Sequence, residues 1–240
     1  AHLFEPRTAT RRTMGEGTGE EDPGPAVFQY WLAEQPEELT IEVLDAGGNV
    51  VRSFEGPRPD DFEPEERAGY TPPPPAPPEG DVGMNTYTWD LRYPGSLYYE
   101  GQIIWNASTV RGPMAPPGEY QVRLTVDGQS QTRSFEVRKD PRLEGVTDRD
   151  LQAQFELAVQ IRDATDRANR AVVQARETRR QTAERLASVA GTEVPEGDEG
   201  WVTMEEAMQV VGEARGQDAE LADAAGALLR AQREVGTALY

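Results

Sequence analysis

Met84-Asn85-Thr86-Tyr87-Thr88-Trp89-Asp90-Leu91-Arg92-Tyr93 alternates large apolar and small polar side chains over a full strand length. A second stretch, Pro117-Gly118-Glu119-Tyr120-Gln121-Val122-Arg123-Leu124-Thr125-Val126-Asp127-Gly128, does the same between two turn signals. A period of two is the mark of a strand with one face on a core and one on solvent. These two stretches decide that the chain is β-rich in its first part.

Working outward, Val27–Leu32 and Leu39–Leu44 read as strands, Asp45-Ala46-Gly47-Gly48-Asn49 as a turn, and Val50–Phe54 as the returning hairpin partner. Residues 119–127 and 130–138 form a closing hairpin through Asp127-Gly128. Short strands separated by long loops point to an antiparallel, immunoglobulin-like β-sandwich over residues 26–140. The alternation selects Tyr30, Leu32, Ile41, Val43, Val51, Phe54, Tyr87, Trp89, Leu91, Tyr120, Val122, Leu124, Val126, Phe135 and Val137 as its core.

Three segments fall outside that pattern. Residues 1–25 are polar and rich in Gly, Thr and Glu, and are expected as an extended arm or linker. Glu55–Gly83 is acidic and holds Thr71-Pro72-Pro73-Pro74-Pro75-Ala76-Pro77-Pro78, a run that favours a stiff polyproline connection. Pro94–Pro117 is irregular yet apolar. Residues 141–240 turn helical: Thr147 is placed to cap a helix with acidic residues in its first turn, and a second helix is expected from Thr203 after the breaker-rich Gly191–Gly200. The expected architecture is therefore α+β, a sandwich followed by a long antiparallel α-helical hairpin over 141–240.

Composition narrows the function. A net charge of −19 argues against nucleic acid and anionic lipid as partners, because a phosphate-binding surface needs a cationic field. The absence of cysteine removes disulfides, thiolate nucleophiles and Cys-ligated metals. No apolar run is long enough to span a bilayer, and the first residues lack the apolar stretch of a signal peptide. Either a targeting segment has been removed ahead of Ala1 or the chain is part of something longer.

No catalytic, cofactor or metal site is expected. His2 is the sole histidine and falls in the arm. Asp60, Asp61, Glu63, Glu65 and Glu66 offer oxygen ligands for calcium, but without a spaced loop and a turning glycine. Asp90 and Arg92 share a strand face and read as a surface ion pair beside Trp89. Asn106-Ala107-Ser108 matches only a glycosylation sequon. The helical arginines, Arg162 through Arg185, alternate with acids as on a solvated face. Aromatic and aliphatic residues crowded into irregular chain give the candidate protein contact surface, Tyr93, Leu97, Tyr98, Tyr99, Ile103, Ile104, Trp105 and Trp201; the alternative for the loop residues among them is that they plug one end of the sandwich.

Taken in order, Leu3-Phe4-Glu5-Pro6-Arg7, Tyr30-Trp31-Leu32, Ile41–Arg52, Asn85–Tyr93, Pro117-Gly118-Glu119-Tyr120, Lys139-Asp140-Pro141-Arg142 and Asp150–Leu157 resemble the region that follows the propeller in bacterial sortilin-like or glycosyl-hydrolase-like BNR-repeat proteins. The chain has no propeller blades or Asp-box repeats, so the activity borne by such propellers is not implied. The resemblance implies an exported, extracytoplasmic protein of the bacterial envelope. The expected role is a non-catalytic structural subunit that braces protein partners in a larger assembly. A membrane would be reached only through those partners. The alternative is a carbohydrate- or peptide-binding accessory domain.

Overall fold

A computed structural model describes residues 1–12, 24–65, 73–102 and 109–190. The chain divides into two compact units, Ala1–Asp166 and Arg167–Tyr240. The first contains two sheets packed as a sandwich. Its strands are β1 (His2–Leu3), β2 (Ala9–Arg11), β3 (Ala26–Leu32), β4 (Leu39–Asp45), β5 (Val50–Gly56), β6 (Gly83–Trp89), β7 (Gly118–Val126) and β8 (Gln129–Lys139). One sheet has the order β1-β3-β6 and the other β2-β8-β7-β4-β5. A single α-helix among the described residues, α1, runs from Asp148 to Ala190.

The core lies between the sheets, where the alternation puts it. β3 buries Ala26, Phe28, Tyr30 and Leu32 and exposes the residues between them. Phe28 meets Phe135 edge-on with ring centres 5.3 Å apart, Trp89 meets Tyr120 at 5.7 Å, and Phe54 meets Tyr87 at 4.8 Å. Each pair joins one sheet to the other, and such aromatic pairs add about 0.5–1.5 kcal/mol beyond the area they bury. Every residue selected as core from the sequence is buried except Val126, which packs at its margin.

Local chemistry closes the turns. Asp45 Oδ1 accepts from the amides of Gly47 and Asn49, both at 2.9 Å, and Gly48 takes φ 79°. Asp127 and Gly128 take φ 46° and 80°, the left-handed pair required by a tight two-residue hairpin. The β4–β5 ladder shifts register between Val43 and Leu44, which pair with Arg52 and Val50, so that β5 carries an extra residue, Val51, at this bulge.

The proline-rich strap, residues 73–82 of the expected connection, is held through its backbone carbonyls. Tyr87 Oη donates to the Ala76 carbonyl at 3.1 Å and Tyr30 Oη to that of Glu79. Arg58 pairs with Glu79 on the same strap. The two tyrosines come from adjacent strands, β3 and β6, so the strap is tied to the three-stranded sheet. Gly56 lies so close to it that a Cβ there would stand 2.8 Å from the Pro78 carbonyl oxygen.

Two sequence expectations need correction. The first is the helical hairpin: the described residues hold one α-helix, and the expected second helix, with Trp201, lies outside them. The apolar positions that open α1 are covered by the sandwich unit. Leu151 is buried, and Phe155 packs on Tyr93 with ring centres 4.6 Å apart. Ile161, which the helical spacing placed on the same stripe, is exposed. Thr147 does cap the helix, exchanging hydrogen bonds with Asp150: its amide donates to Asp150 Oδ2 at 2.9 Å, and the Asp150 amide donates to Thr147 Oγ1 at 3.2 Å. In the second unit, Arg180 pairs with Glu177 at 2.7 Å and with Glu184, as on a solvated face.

The second correction concerns the described part of the expected N-terminal arm, residues 1–12; residues 13–23 lie outside the described residues. Residues 2–3 and 9–11 add a strand to each sheet: His2 and Leu3 pair antiparallel with Trp31 and Tyr30, and Ala9–Arg11 pair parallel with Val137–Lys139. The sandwich is therefore not purely antiparallel. Leu3 and Ala9 are core residues, and their burial offsets the entropy of ordering so polar a stretch.

Candidate interaction surface

The outward faces of the two sheets differ in chemistry. On the five-stranded sheet, Glu42 lies opposite Arg123 in the register and pairs with it at 2.6 Å, and Glu136 pairs with Arg138 at 2.6 Å. That is an ordinary solvated face. The three-stranded sheet turns out His2, Phe4, Val27, Gln29, Trp31, Met84, Thr86 and Thr88. None of these is Asp, Glu, Lys or Arg, in a chain where 28% of residues are charged.

The register builds this face directly. Trp31 stands opposite His2 on one side and Met84 on the other, and Gln29 stands opposite Thr86. His2 and Phe4 meet edge-on at 4.6 Å. Trp31 is 42% exposed, Met84 58%, and Val82, just ahead of β6, 64%. An exposed apolar residue alone needs no explanation; a row of them across adjacent strands makes this face the candidate contact surface. No ion pair or strap residue among the described residues crosses it.

At the end of the sheet where Trp31 and Met84 lie, β3 runs into Glu34-Gln35-Pro36-Glu37-Glu38. Here Glu34, Gln35, Glu37, Glu38 and Asp127 line an open notch of about 520 Å³. Asp127 Oδ1 accepts from the amides of Glu37 and Glu38, each at 3.0 Å. Those bonds fix the notch to the β7–β8 turn.

The aromatic loop expected as the interface sits elsewhere. Its base is closed on itself: Ser96 Oγ and Thr109 Oγ1 are 2.7 Å apart, and Ala115 donates to the Leu91 carbonyl at 2.7 Å. Gly95 and Gly112 permit that approach, since a Cβ on Gly95 would lie 1.7 Å from the Val110 carbonyl oxygen. Tyr93 faces Phe155, and the Leu97 amide donates to Asp166 Oδ1 at 2.7 Å. Tyr98 and Tyr99 are half-buried and have interactions of their own. Within the first unit, Tyr93 and Leu97 thus meet the first half of α1, at Phe155 and Asp166. Ile103, Ile104, Trp105 and Trp201 lie outside the described residues.

Arg11 also belongs to this joint. It is 3% exposed, and its Nη2 donates to Gln154 Oε1 at 2.7 Å. Its Nε and Nη1 meet no acceptor, and both burial and the nearby Arg92 guanidinium push its pKa down. Asp90 and Arg92 do not form the expected side-chain pair. Asp90 Oδ1 accepts from the Arg92 amide at 3.1 Å, while Arg92 Nη1 donates to the Gly112 carbonyl at 2.8 Å.

Among the described residues no three His, Asp or Glu side chains gather as metal ligands, and no helix is long and apolar enough to cross a membrane. The exposed sheet face was open to sequence reasoning: if Tyr30 and Leu32 point inward, Trp31 must point out. No family model matches the chain, and no curated protein matches it. Among solved structures, CopC from Methylosinus trichosporium OB3b is similar at 13% identity with a TM-score of 0.27, over 60% of this chain and 97% of that one. A likeness of that degree defines neither the topology nor the chemistry of this chain.

Proposed function

We propose that the chain is a non-catalytic interaction module that braces a protein partner through the outward face of β1-β3-β6. The supporting observation is the row of uncharged side chains led by Trp31 and Met84, set against the ion-paired outward face of the other sheet. A face of this composition loses little by leaving water and gains apolar area on contact, roughly 25 cal/mol per Å² buried before the cost of association. An extracytoplasmic location within a larger envelope assembly is part of this proposal, and it rests on the sequence resemblance.

The test is purification of the untagged chain and of Trp31→Ser/Met84→Ser from the native envelope fraction, followed by sizing. A stoichiometric complex for the wild type that falls to free chain in the double variant agrees with the proposal. A free wild-type chain that binds a glycan array through Trp31 would replace it with the carbohydrate-binding alternative.

A further inference from the structure

The notch beside the apolar face narrows what can dock there. We infer that the partner presents an apolar segment flanked by lysine or arginine, the apolar part lying over Trp31, Met84 and Val82 and the basic part entering the notch of Glu34, Glu37 and Glu38. This rests on the reading of that face as the contact surface.

Glu34 follows Trp31 by three residues, so their Cα atoms are at most about 10 Å apart. That is close to the Debye length of about 8 Å at physiological ionic strength. At that range the carboxylate is only partly screened from whatever covers Trp31. Glu34, Glu37, Glu38 and Asp127 are all exposed, and no arginine or lysine lines the notch with them. Asp81, next to Val82, adds a carboxylate at the start of β6.

The arrangement is a neutral apolar centre with an acidic rim on one side, and complementary rims set orientation and on-rate. A second copy of the chain is a poor occupant. It would bring the same acidic rim and a further net charge of −19.

The test uses the full chain and two synthetic peptides of equal length and equal Leu and Phe content, one with lysine and one with glutamate at the remaining positions. Binding is followed by titration and by amide shift mapping at low salt and at about 0.15 M salt. The lysine peptide should bind, shift Trp31, Met84 and Val82, and outbind the glutamate peptide. Glu34→Lys/Glu37→Lys/Glu38→Lys should weaken the lysine peptide about tenfold and flatten its salt dependence. Asp60→Lys/Asp61→Lys should leave it unchanged. If Trp31→Ser abolishes binding while the triple reversal has no effect, the basic-partner inference fails and the contact face stands. An equal loss in both reversals would mean binding to diffuse charge, and the inference fails again. If Trp31→Ser binds as the wild type does, both the inference and the face fall.

Discussion

Replacing Arg11 with methionine should stabilise the protein. Arg11 is 3% exposed and makes one hydrogen bond, from Nη2 to Gln154, while Nε and Nη1 meet no acceptor. No carboxylate offsets its charge, and the guanidinium acting on it is Arg92, of the same sign. Holding an ion away from water costs several kcal/mol even after relaxation, and one charge-assisted hydrogen bond returns about 1.5–3 kcal/mol. Gln154 is exposed, so water replaces the lost donor and nothing is stranded. Methionine keeps most of the packing volume and leaves the β2–β8 backbone ladder intact. We expect Arg11→Met to gain about 1–3 kcal/mol, with Tm rising about 2–4 °C per kcal/mol. Urea unfolding followed by tryptophan fluorescence should show a higher midpoint at unchanged slope. A loss of more than about 1 kcal/mol would refute the reasoning, because it would mean the guanidinium neutralises or bonds something essential.

Other predictions follow from the same contacts. The Tyr93–Phe155 ring pair should show a coupling of about 0.5–1.5 kcal/mol in a double-mutant cycle of the two alanine variants, and additive losses would mean the loop and helix do not bear on each other. Asp140, only 2% exposed, is forked by Arg142, which holds its carboxyl down to about 2. Because the folded pKa is depressed, its stabilisation is present above about pH 4 and is lost as the pH falls toward 2. Asp140→Asn should therefore flatten the acid limb of a stability–pH curve, and an unchanged limb would contradict the assignment. Trp31→Ser should change unfolding stability by no more than about 0.5 kcal/mol, since the ring is no part of the core.

How far the sequence reached depends on the range of the interaction. Alternation is local, so the faces of β3, β6 and β7 and nearly all the core were legible, Trp31 on the outside included. β1 and β2 were not, because two or three residues carry no period. Ala9, Thr10 and Arg11 are all buried, which is the reverse of what an arginine in a polar stretch suggests. Helical spacing likewise gave α1 and its Thr147 cap, but periodicity does not say which surface an apolar stripe meets. Leu151 and Phe155 fit a hairpin as well as they fit the sandwich loop. For the aromatic loop, contact surface and plug of the sandwich could not be told apart, because what closes its base is non-local: the Arg92–Met114 bridge and the close approach at Gly95. The candidate surface itself was readable only in part, since the contrast between the two outward faces depends on strand order.

The central claim is that the outward face of β1-β3-β6 is where a partner sits. A photo-crosslinking side chain placed at Met84, and separately at the equally solvent-facing Val50 on the other sheet, tests it in the native host. One discrete protein adduct is expected from position 84, lost when Trp31→Ser is added, and none from position 50. Equal adducts from both positions, or adducts from position 50 alone, would contradict it.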